Sequence, residues 1–123
     1  MLFRSLSKLK QLLGLERSLR WLECADLPAR AAMPVLIDAR GADEFNGPLG
    51  HIDGAVNVPV DTIVDGSADL TQWREREIVL VCRTDKRSAR AADSLMAAGF
   101  PRIAVLRGGM EGWNALGLPV ARN

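Results

Sequence analysis

The chain has little cysteine, a single histidine and no long apolar run among its 123 residues. Its two cysteines, Cys24 and Cys82, lack the spacing of metal ligands, and one possible disulfide is weak support for an oxidising compartment. Lysine and arginine total 16 against 15 acidic residues, so no overall charge excess is present to attract nucleic acid. No segment approaches the roughly 20 apolar residues of a membrane-spanning helix. We therefore expect a reduced, cytoplasmic globular protein with no metal site and no nucleic-acid partner.

Length and hydropathy predict one domain, residues 19–123, preceded by an extension, residues 1–18. A compact domain of this size buries roughly two-thirds of its extended-chain surface, enough for a self-sufficient core. The extension has the pattern of a basic amphipathic helix, with leucines at helical spacing and cations largely elsewhere on the wheel: Leu2, Leu6, Leu9, Leu13, Arg4, Lys8 and Lys10. We expect its apolar face to dock on its own domain or on a second subunit. A membrane-surface anchor and a frayed extension are the alternatives.

Apolar segments alternate with helical ones after residue 19. The segments "PVLIDAR", "IVLVC" and "IAVLRGG" are typical of strands buried in a parallel sheet, and "AVNVPV" is a possible fourth. The segment "WLECADLPARAAM" indicates a short strand that leads through Asp26 into a helical turn. A helix is predicted over "KRSARAADSLMAAGF", ending at Gly99 and Pro101, and a short one over "ADLTQWRERE". This alternation predicts an α/β fold with a parallel sheet and right-handed helical crossovers, in which ligands bind beyond the carboxyl ends of the strands.

Cys82 occupies such an end, between the strand "IVLVC" and the helix that begins with "KRSAR". A tight turn there would direct the backbone amides of residues 83–88 around the cysteine sulfur. These amides, the helix N-terminus and the cations Arg83, Lys86 and Arg87 should together favour thiolate over thiol, which makes Cys82 a nucleophile. The alternative is a small apolar filler at the end of a core strand. Three cations beside a purely structural thiol would serve no packing purpose, so we favour the nucleophile.

Asp85 is the loop residue that fits this prediction least. A carboxylate near the sulfur would repel anions unless it is turned outward or is paired with Lys86, Arg87 or Arg90. Aspartate also tolerates the left-handed backbone conformation that a tight loop can require. We expect Asp85 to fill a turn position and to face solvent.

Three separated motifs follow one another within residues 20–121: "VLIDARGADEFNGPLGHIDGAVNVP", "CRTDKRS" and "GGMEGWNALGLPV". In this order they resemble the N-terminal signature, the active-site loop and the C-terminal signature of the single-domain rhodanese family. The resemblance implies a rhodanese-like three-layer domain, a parallel sheet of about five strands with helices on both faces. It also implies a thiosulfate sulfurtransferase that needs no cofactor. Cys82 would take the outer sulfur of thiosulfate or a similar anionic donor as a persulfide, and pass it to a thiophilic acceptor such as cyanide or a thiol.

The resemblance assigns substrate binding to the loop residues Arg83, Thr84, Asp85, Lys86, Arg87 and Ser88. The loop amides would hold the outer sulfur, and the cations would receive the anionic donor. Four residues separate Cys82 from Arg87, whereas rhodanese-like phosphatases have five, so a tetrahedral oxyanion should not fit. Mercaptopyruvate sulfurtransferases carry a mostly uncharged loop, so this cationic loop favours thiosulfate. The family commonly has glycine at the position of Asp85.

Four residues outside the loop match scaffold positions of the family: Asp38, Arg40, Glu44 and His51. In the family's pattern such residues join loops by charge-assisted hydrogen bonds near the rim of the active site. A thiolate that its loop already ionises needs no general base, so we do not expect catalysis by His51. Gly108 and Gly109 should allow close approach of the neighbouring active-site loop. We expect Trp113 to lie in the core.

Two alternatives to a free sulfurtransferase with small-molecule donor and acceptor stay open. The first is a persulfide relay with an acceptor or donor protein, which the N-terminal extension favours. The second is a non-catalytic docking module, although such rhodanese-like domains usually lack the cysteine that this chain keeps. Cys24 could in principle resolve the Cys82 persulfide as a disulfide. It follows a presumed edge strand and has no cationic neighbours, so we do not expect that role.

Overall fold

The computed structural model describes residues 19–122, so the predicted helix over residues 1–18 lies outside the described residues. Five strands are present within that range: β1 (Arg20–Glu23), β2 (Val35–Asp38), β3 (Val56–Asn57), β4 (Ile78–Val81) and β5 (Ile103–Arg107). The helices are α1 (Ala42–Phe45), α2 (Val60–Val64), α3 (Lys86–Ala97) and α4 (Gly109–Ala115). Two 3-10 turns cover Cys24–Asp26 and Thr71–Trp73.

The strands form one sheet in the order β1-β5-β4-β2-β3, and every neighbouring pair is parallel. Strand β4 is central: its Leu80 is in register with Ile37 of β2 on one side and with Val105 of β5 on the other. Parallel strands place all their carboxyl ends at one edge of the sheet, so the loops after β2, β4 and β5 meet there. The predicted α/β fold with a parallel sheet of five strands is confirmed.

Two hydrophobic cores, one on each face of the sheet, account for the apolar strands. Successive side chains of a strand point to opposite faces, so Ile78 and Leu80 of β4 pack with α2 and α3, whereas Val79 and Val81 pack with α4. All four are at most 1% exposed, and burial of each contributes roughly 1.5–3 kcal/mol relative to exposure. A strand covered on both faces has no polar position, which is why "IVLV" lacks the alternation of a half-exposed strand.

Two helical segments differ from the sequence prediction. Helix α2 follows Pro59 and buries Val60 and Ile63, yet it is too short to show a helical period in the sequence. The segment "ADLTQWRERE" forms only the 3-10 turn Thr71–Trp73 rather than a helix. The predicted strands and the long helix after Cys82 are confirmed. No helix within residues 19–122 is long and apolar enough to cross a bilayer.

Candidate active site

Cys82 directly follows β4 and lies beneath the loop that leads into α3. The residue is buried, with 1% of its surface exposed. Asp85 is the N-cap residue of α3, which begins at Lys86. The backbone N–H of Ser88 in the first turn of α3 donates a hydrogen bond to Cys82 Sγ at 3.4 Å. The chain therefore encloses the sulfur between the end of a central strand and the start of a twelve-residue helix.

The N-terminus of α4 determines which way the loop's peptide groups face. The N–H of Met110 donates to the Cys82 carbonyl at 2.8 Å, and that of Glu111 to the Arg83 carbonyl at 3.0 Å. A Cβ atom added to Gly109 would overlap the carbonyl oxygens of Cys82, Arg83 and Thr84. The close approach that the sequence predicted for Gly109 is thus confirmed.

The loop carbonyls face α4, which leaves the opposite side of the peptides for N–H groups. The backbone N–H groups of residues 83–87 donate to no carbonyl within residues 19–122. Unpaired N–H groups that converge at a helix start form a binding site for negative charge. This arrangement suits a thiolate, a persulfide or an anionic substrate at Cys82.

The loop arginines are paired with carboxylates from other elements. Arg87 makes two bonds to Glu44 of α1, Nη1 to Oε1 at 2.6 Å and Nη2 to Oε2 at 2.9 Å. These bonds lower the pKa of Glu44 from 4.5 to about 2 and raise the pKa of Arg87. Arg83 donates from Nε to Glu111 at 2.7 Å. Lys86 and Thr84 are exposed, and Lys86 forms no ion pair in the described part of the chain.

Asp85 adopts φ −149° and is half-buried. Its backbone is not left-handed, because every described residue with positive φ is a glycine. Its carboxylate forms no ion pair with Lys86, Arg87 or Arg90 within residues 19–122. The conformational reason for an aspartate at this position, tolerance of a left-handed backbone, does not apply here.

Asp38 and Arg40 form a buried ion pair at the end of β2. Arg40 donates from Nε to Oδ1 at 2.9 Å and from Nη2 to Oδ2 at 2.8 Å, and Nη2 also reaches the Gly50 carbonyl at 2.8 Å. Both side chains are 1% exposed. Two parallel bonds fix the plane of the guanidinium, so the pair joins β2 to the segment before His51.

His51 lies on the other side of that segment, against α1. Its ring stacks on Phe45 at 3.7 Å, and Nδ1 donates to the Phe45 carbonyl at 2.8 Å. The residue is 4% exposed. These contacts place the ring in a packed turn.

An open depression of about 300 Å³ lies at the loop end of the sheet. Its walls come from α1, the segment that follows it, the active-site loop and α4: Arg40, Glu44, Pro48, Leu49, Arg83 and Glu111. The depression therefore brings Arg83 and Glu111 next to Arg40 and Glu44, although the sequence separates these two pairs of residues widely.

Comparison with known proteins identifies the family. The family model for the rhodanese-like domain matches residues 22–116 of this chain. This chain belongs to the rhodanese-like domain family. A sulfurtransferase of Allochromatium vinosum is 33% identical over 86 residues, which cover 70% of this chain and 77% of that protein. The Escherichia coli protein YibN, described as uncharacterized, is 29% identical over 89 residues, and the match spans 61% of its length.

Solved structures give the same rhodanese-like fold. The rhodanese-like domain of the Anabaena protein Alr3790 superposes with a TM-score of 0.73 at 27% identity, covering 86% of this chain and 81% of that one. A thiosulfate sulfurtransferase of Pseudomonas aeruginosa superposes with a TM-score of 0.71 at 29% identity, covering 93% of this chain and 22% of that protein. Sulfurtransferase chemistry is thus represented among the relatives of this domain.

The other cysteine of the rhodanese-like domain, Cys24, lies at a distance from Cys82. Cys24 follows β1 and Cys82 follows β4, with β5 between them. Two strand spacings put their backbones about 10 Å apart, beyond the roughly 7 Å that a disulfide can bridge. Burial raises the pKa of the Cys24 thiol, which donates to the Arg107 carbonyl at 3.4 Å. In this arrangement Cys24 is too far from Cys82 to form a disulfide with it. No cluster of potential metal ligands is present within residues 19–122.

Two features of this rhodanese-like domain had no signal in the sequence. One is Glu111, which pairs with Arg83 across 28 positions. The other is the Ser88 hydroxyl, which is buried and has no hydrogen-bond partner among the described residues. Both depend on how α4 and the loop pack, and no local pattern encodes that packing.

Proposed function

We propose that this domain is a sulfurtransferase that takes sulfane sulfur from thiosulfate, or a similarly anionic donor, onto Cys82. A thiophilic acceptor such as cyanide or a small thiol then removes it. The observation that carries the proposal is a buried thiol under a loop whose carbonyls bind α4 and whose N–H groups are left for negative charge. A persulfide is an anion of the size of two sulfur atoms, so it matches that environment.

The reaction is a double displacement in which electrons balance without an external oxidant. The Cys82 thiolate attacks the outer sulfur of thiosulfate, a new S–S bond forms, and the donor's S–S bond breaks with its electron pair leaving on sulfite. In the second half the acceptor attacks the outer sulfur, and the pair of the persulfide bond returns to Cys82 Sγ. The N–H groups around the sulfur stabilise the charge in both states.

The depression beside the loop offers an entry point for the anionic donor. Arg83 donates to Glu111 only from its Nε, so its two Nη groups make no hydrogen bond within residues 19–122. Arg40 uses Nε and Nη2, and both arginines line the depression. We expect the sulfonate end of thiosulfate to bind here while its outer sulfur points toward Cys82.

The relatives support this assignment at the level of their names. The Allochromatium vinosum protein is called a sulfurtransferase and the Pseudomonas aeruginosa structure a thiosulfate sulfurtransferase. A persulfide relay uses the same loop and differs in having a protein as the donor or the acceptor. Cys82 is 1% exposed, and this burial favours a small thiol or cyanide over a protein as the acceptor.

Intact-mass spectrometry after brief thiosulfate exposure tests the proposal. Wild type and Cys24→Ser should gain one sulfur atom, about 32 Da, Cys82→Ser should gain none, and cyanide should discharge the adduct as thiocyanate. Cys24→Ser is the matched control because it removes the other buried thiol. No adduct on wild type with thiosulfate, mercaptopyruvate or a small persulfide donor would refute the proposal, and a docking module would replace it.

A further inference from the structure

Ser88 lies in the first turn of α3, directly beside the cysteine sulfur. It is 0% exposed, whereas Lys86 at the helix start is exposed. Its buried companions on α3 are Ala91, Ala92 and Leu95, so Ser88 is at the loop end of the face that packs on the sheet. The Cα–Cβ bonds of a helix lean toward its N-terminus, which directs this side chain toward the loop. Its own N–H donates to Cys82 Sγ at 3.4 Å.

The hydroxyl of Ser88 is the buried side-chain polar atom that stays without a hydrogen-bond partner within residues 19–122. A serine in a helix ordinarily bonds to the carbonyl four residues earlier, which here belongs to Thr84. That carbonyl oxygen is packed on the Gly109 side of the loop, where α4 also binds the carbonyls of Cys82 and Arg83. The same orientation that frees the loop's N–H groups thus removes the usual acceptor of the serine.

Loading with sulfur would add an acceptor at this place. The outer sulfur of a persulfide is about 2.05 Å from Sγ and carries the negative charge of the loaded enzyme. Ser88 already contacts Sγ through its N–H, but its hydroxyl makes no bond to Sγ in the resting protein. We propose that the Ser88 hydroxyl donates a hydrogen bond to the outer sulfur of the Cys82 persulfide, and so stabilises the loaded state over the resting thiolate. This inference rests on the proposed sulfurtransferase function.

A purely structural serine would behave differently when replaced. Alanine is the better helix former, and it removes a buried hydroxyl that has no partner, a group that destabilises a folded protein. Ser88→Ala should therefore leave the resting protein at least as stable as wild type. Its defect should appear only in the loaded state.

The test compares Ser88→Ala with Ser94→Ala, a half-buried serine on the same helix. Intact mass gives the ratio of persulfide to resting enzyme at fixed concentrations of thiosulfate and sulfite. We expect the ratio to fall about 10-fold in Ser88→Ala, the size of a lost hydrogen bond to a charged group. Alkylation of resting Cys82 by iodoacetamide should stay within about twofold, since no bond to Sγ is lost. Ser94→Ala should match wild type in both.

Each other outcome overturns a defined part of the proposal. Equal loading ratios in wild type and Ser88→Ala refute the serine's role and leave the sulfurtransferase function intact. Parallel losses of loading and alkylation in Ser88→Ala show that the hydroxyl acts on the thiolate, which refutes the assignment to the outer sulfur. A wild type that acquires no sulfur refutes both the inference and the function on which it rests.

Discussion

Gly109→Ala tests whether α4 determines the shape of the active-site loop. Gly109 has φ +54°, and an added Cβ would lie 2.8 Å from the Arg83 carbonyl oxygen and closer still to those of Cys82 and Thr84. All three are backbone atoms, so no side chain can rotate to make room. The loop and the N-terminus of α4 would have to move apart.

The magnitude follows from two contributions. A left-handed backbone costs a residue with a Cβ about 1–2 kcal/mol. Separation of loop and helix also breaks the bonds from Met110 and Glu111 to the loop carbonyls, at a net cost of about 0.5–1.5 kcal/mol each. The total is about 2–5 kcal/mol of unfolding free energy.

Gly117→Ala separates these contributions. Gly117 has φ +70°, and an added Cβ there would meet nothing within 4 Å. This variant therefore carries the backbone strain without the overlap, and we expect a loss of about 1–2 kcal/mol. Urea denaturation measures both variants, and intact mass measures their sulfur loading. We expect Gly109→Ala to be the less stable and to load slowly, with Gly117→Ala loading at the wild-type rate. Equal stability and equal loading in the two variants would refute the dependence of the loop on α4.

The Glu44–Arg87 pair gives two further predictions. Glu44→Gln should leave the Arg87 charge uncompensated. The rate constant for sulfur loading from thiosulfate should then rise about 2- to 5-fold at low salt, with no gain near 1 M salt. Asp43→Asn makes the same charge change on α1 without touching Arg87, so an equal gain in that variant would contradict the local explanation. The pKa of Glu44 is lowered to about 2, so its stabilisation is present above the ordinary value of 4.5 and is lost as the pH falls toward 2. The Glu44 side chain is 38% exposed, so screening limits the pair to about 0.3–1 kcal/mol. Thermal melts from pH 6 to pH 2.5 should show the difference between wild type and Glu44→Gln shrinking below pH 4.5, and a constant difference would count against the pair.

The sheet was predictable because its strands are buried on both faces. Apolar segments such as "IVLV" have no polar position, and a parallel sheet covered by two helical layers buries such segments on both faces. The place of Cys82 followed from the same pattern, since it comes directly after such a strand. Helix α2 was not predictable: five residues, Val60–Val64, cover little more than one turn, and their helical conformation depends on packing against the sheet rather than on their period.

The site was predictable in its residues but not in its pairings. The loop and its cysteine are contiguous in the sequence, so their order alone indicates a strand, a turn and a helix. Arg87 and Glu44 are 43 positions apart, and Arg83 and Glu111 are 28 positions apart. Their contacts arise when α1 and α4 pack beside the loop, and a charge pattern along the chain does not specify them.

These pairings change the explanation of how the site attracts negative charge. The sequence suggested that the loop cations supply the field, yet Arg87 is paired with Glu44 and Arg83 with Glu111. Each guanidinium then brings a carboxylate with it, so the two pairs add no net charge at the rim. Asp85 and Lys86 form no ion pair within residues 19–122, but their formal charges sum to zero. We therefore expect the backbone to supply most of the positive potential at Cys82, through the start of α3 and the Ser88 N–H that lies 3.4 Å from Sγ.

A backbone source of charge explains why an aspartate is compatible with this loop. Asp85 sits at φ −149°, so it needs no glycine-like conformation and leaves the path of the chain unchanged. Loop N–H groups keep their direction whatever side chain is attached, because α4 fixes the carbonyls on the far side. On the proposed function, we expect the side chains of the loop to select the sulfur donor, while the N–H of Ser88 contacts the sulfur itself. Substitutions of the loop's side chains should accordingly change the preference for the sulfur donor more than the reactivity of Cys82, and substitutions at Gly109 should change both.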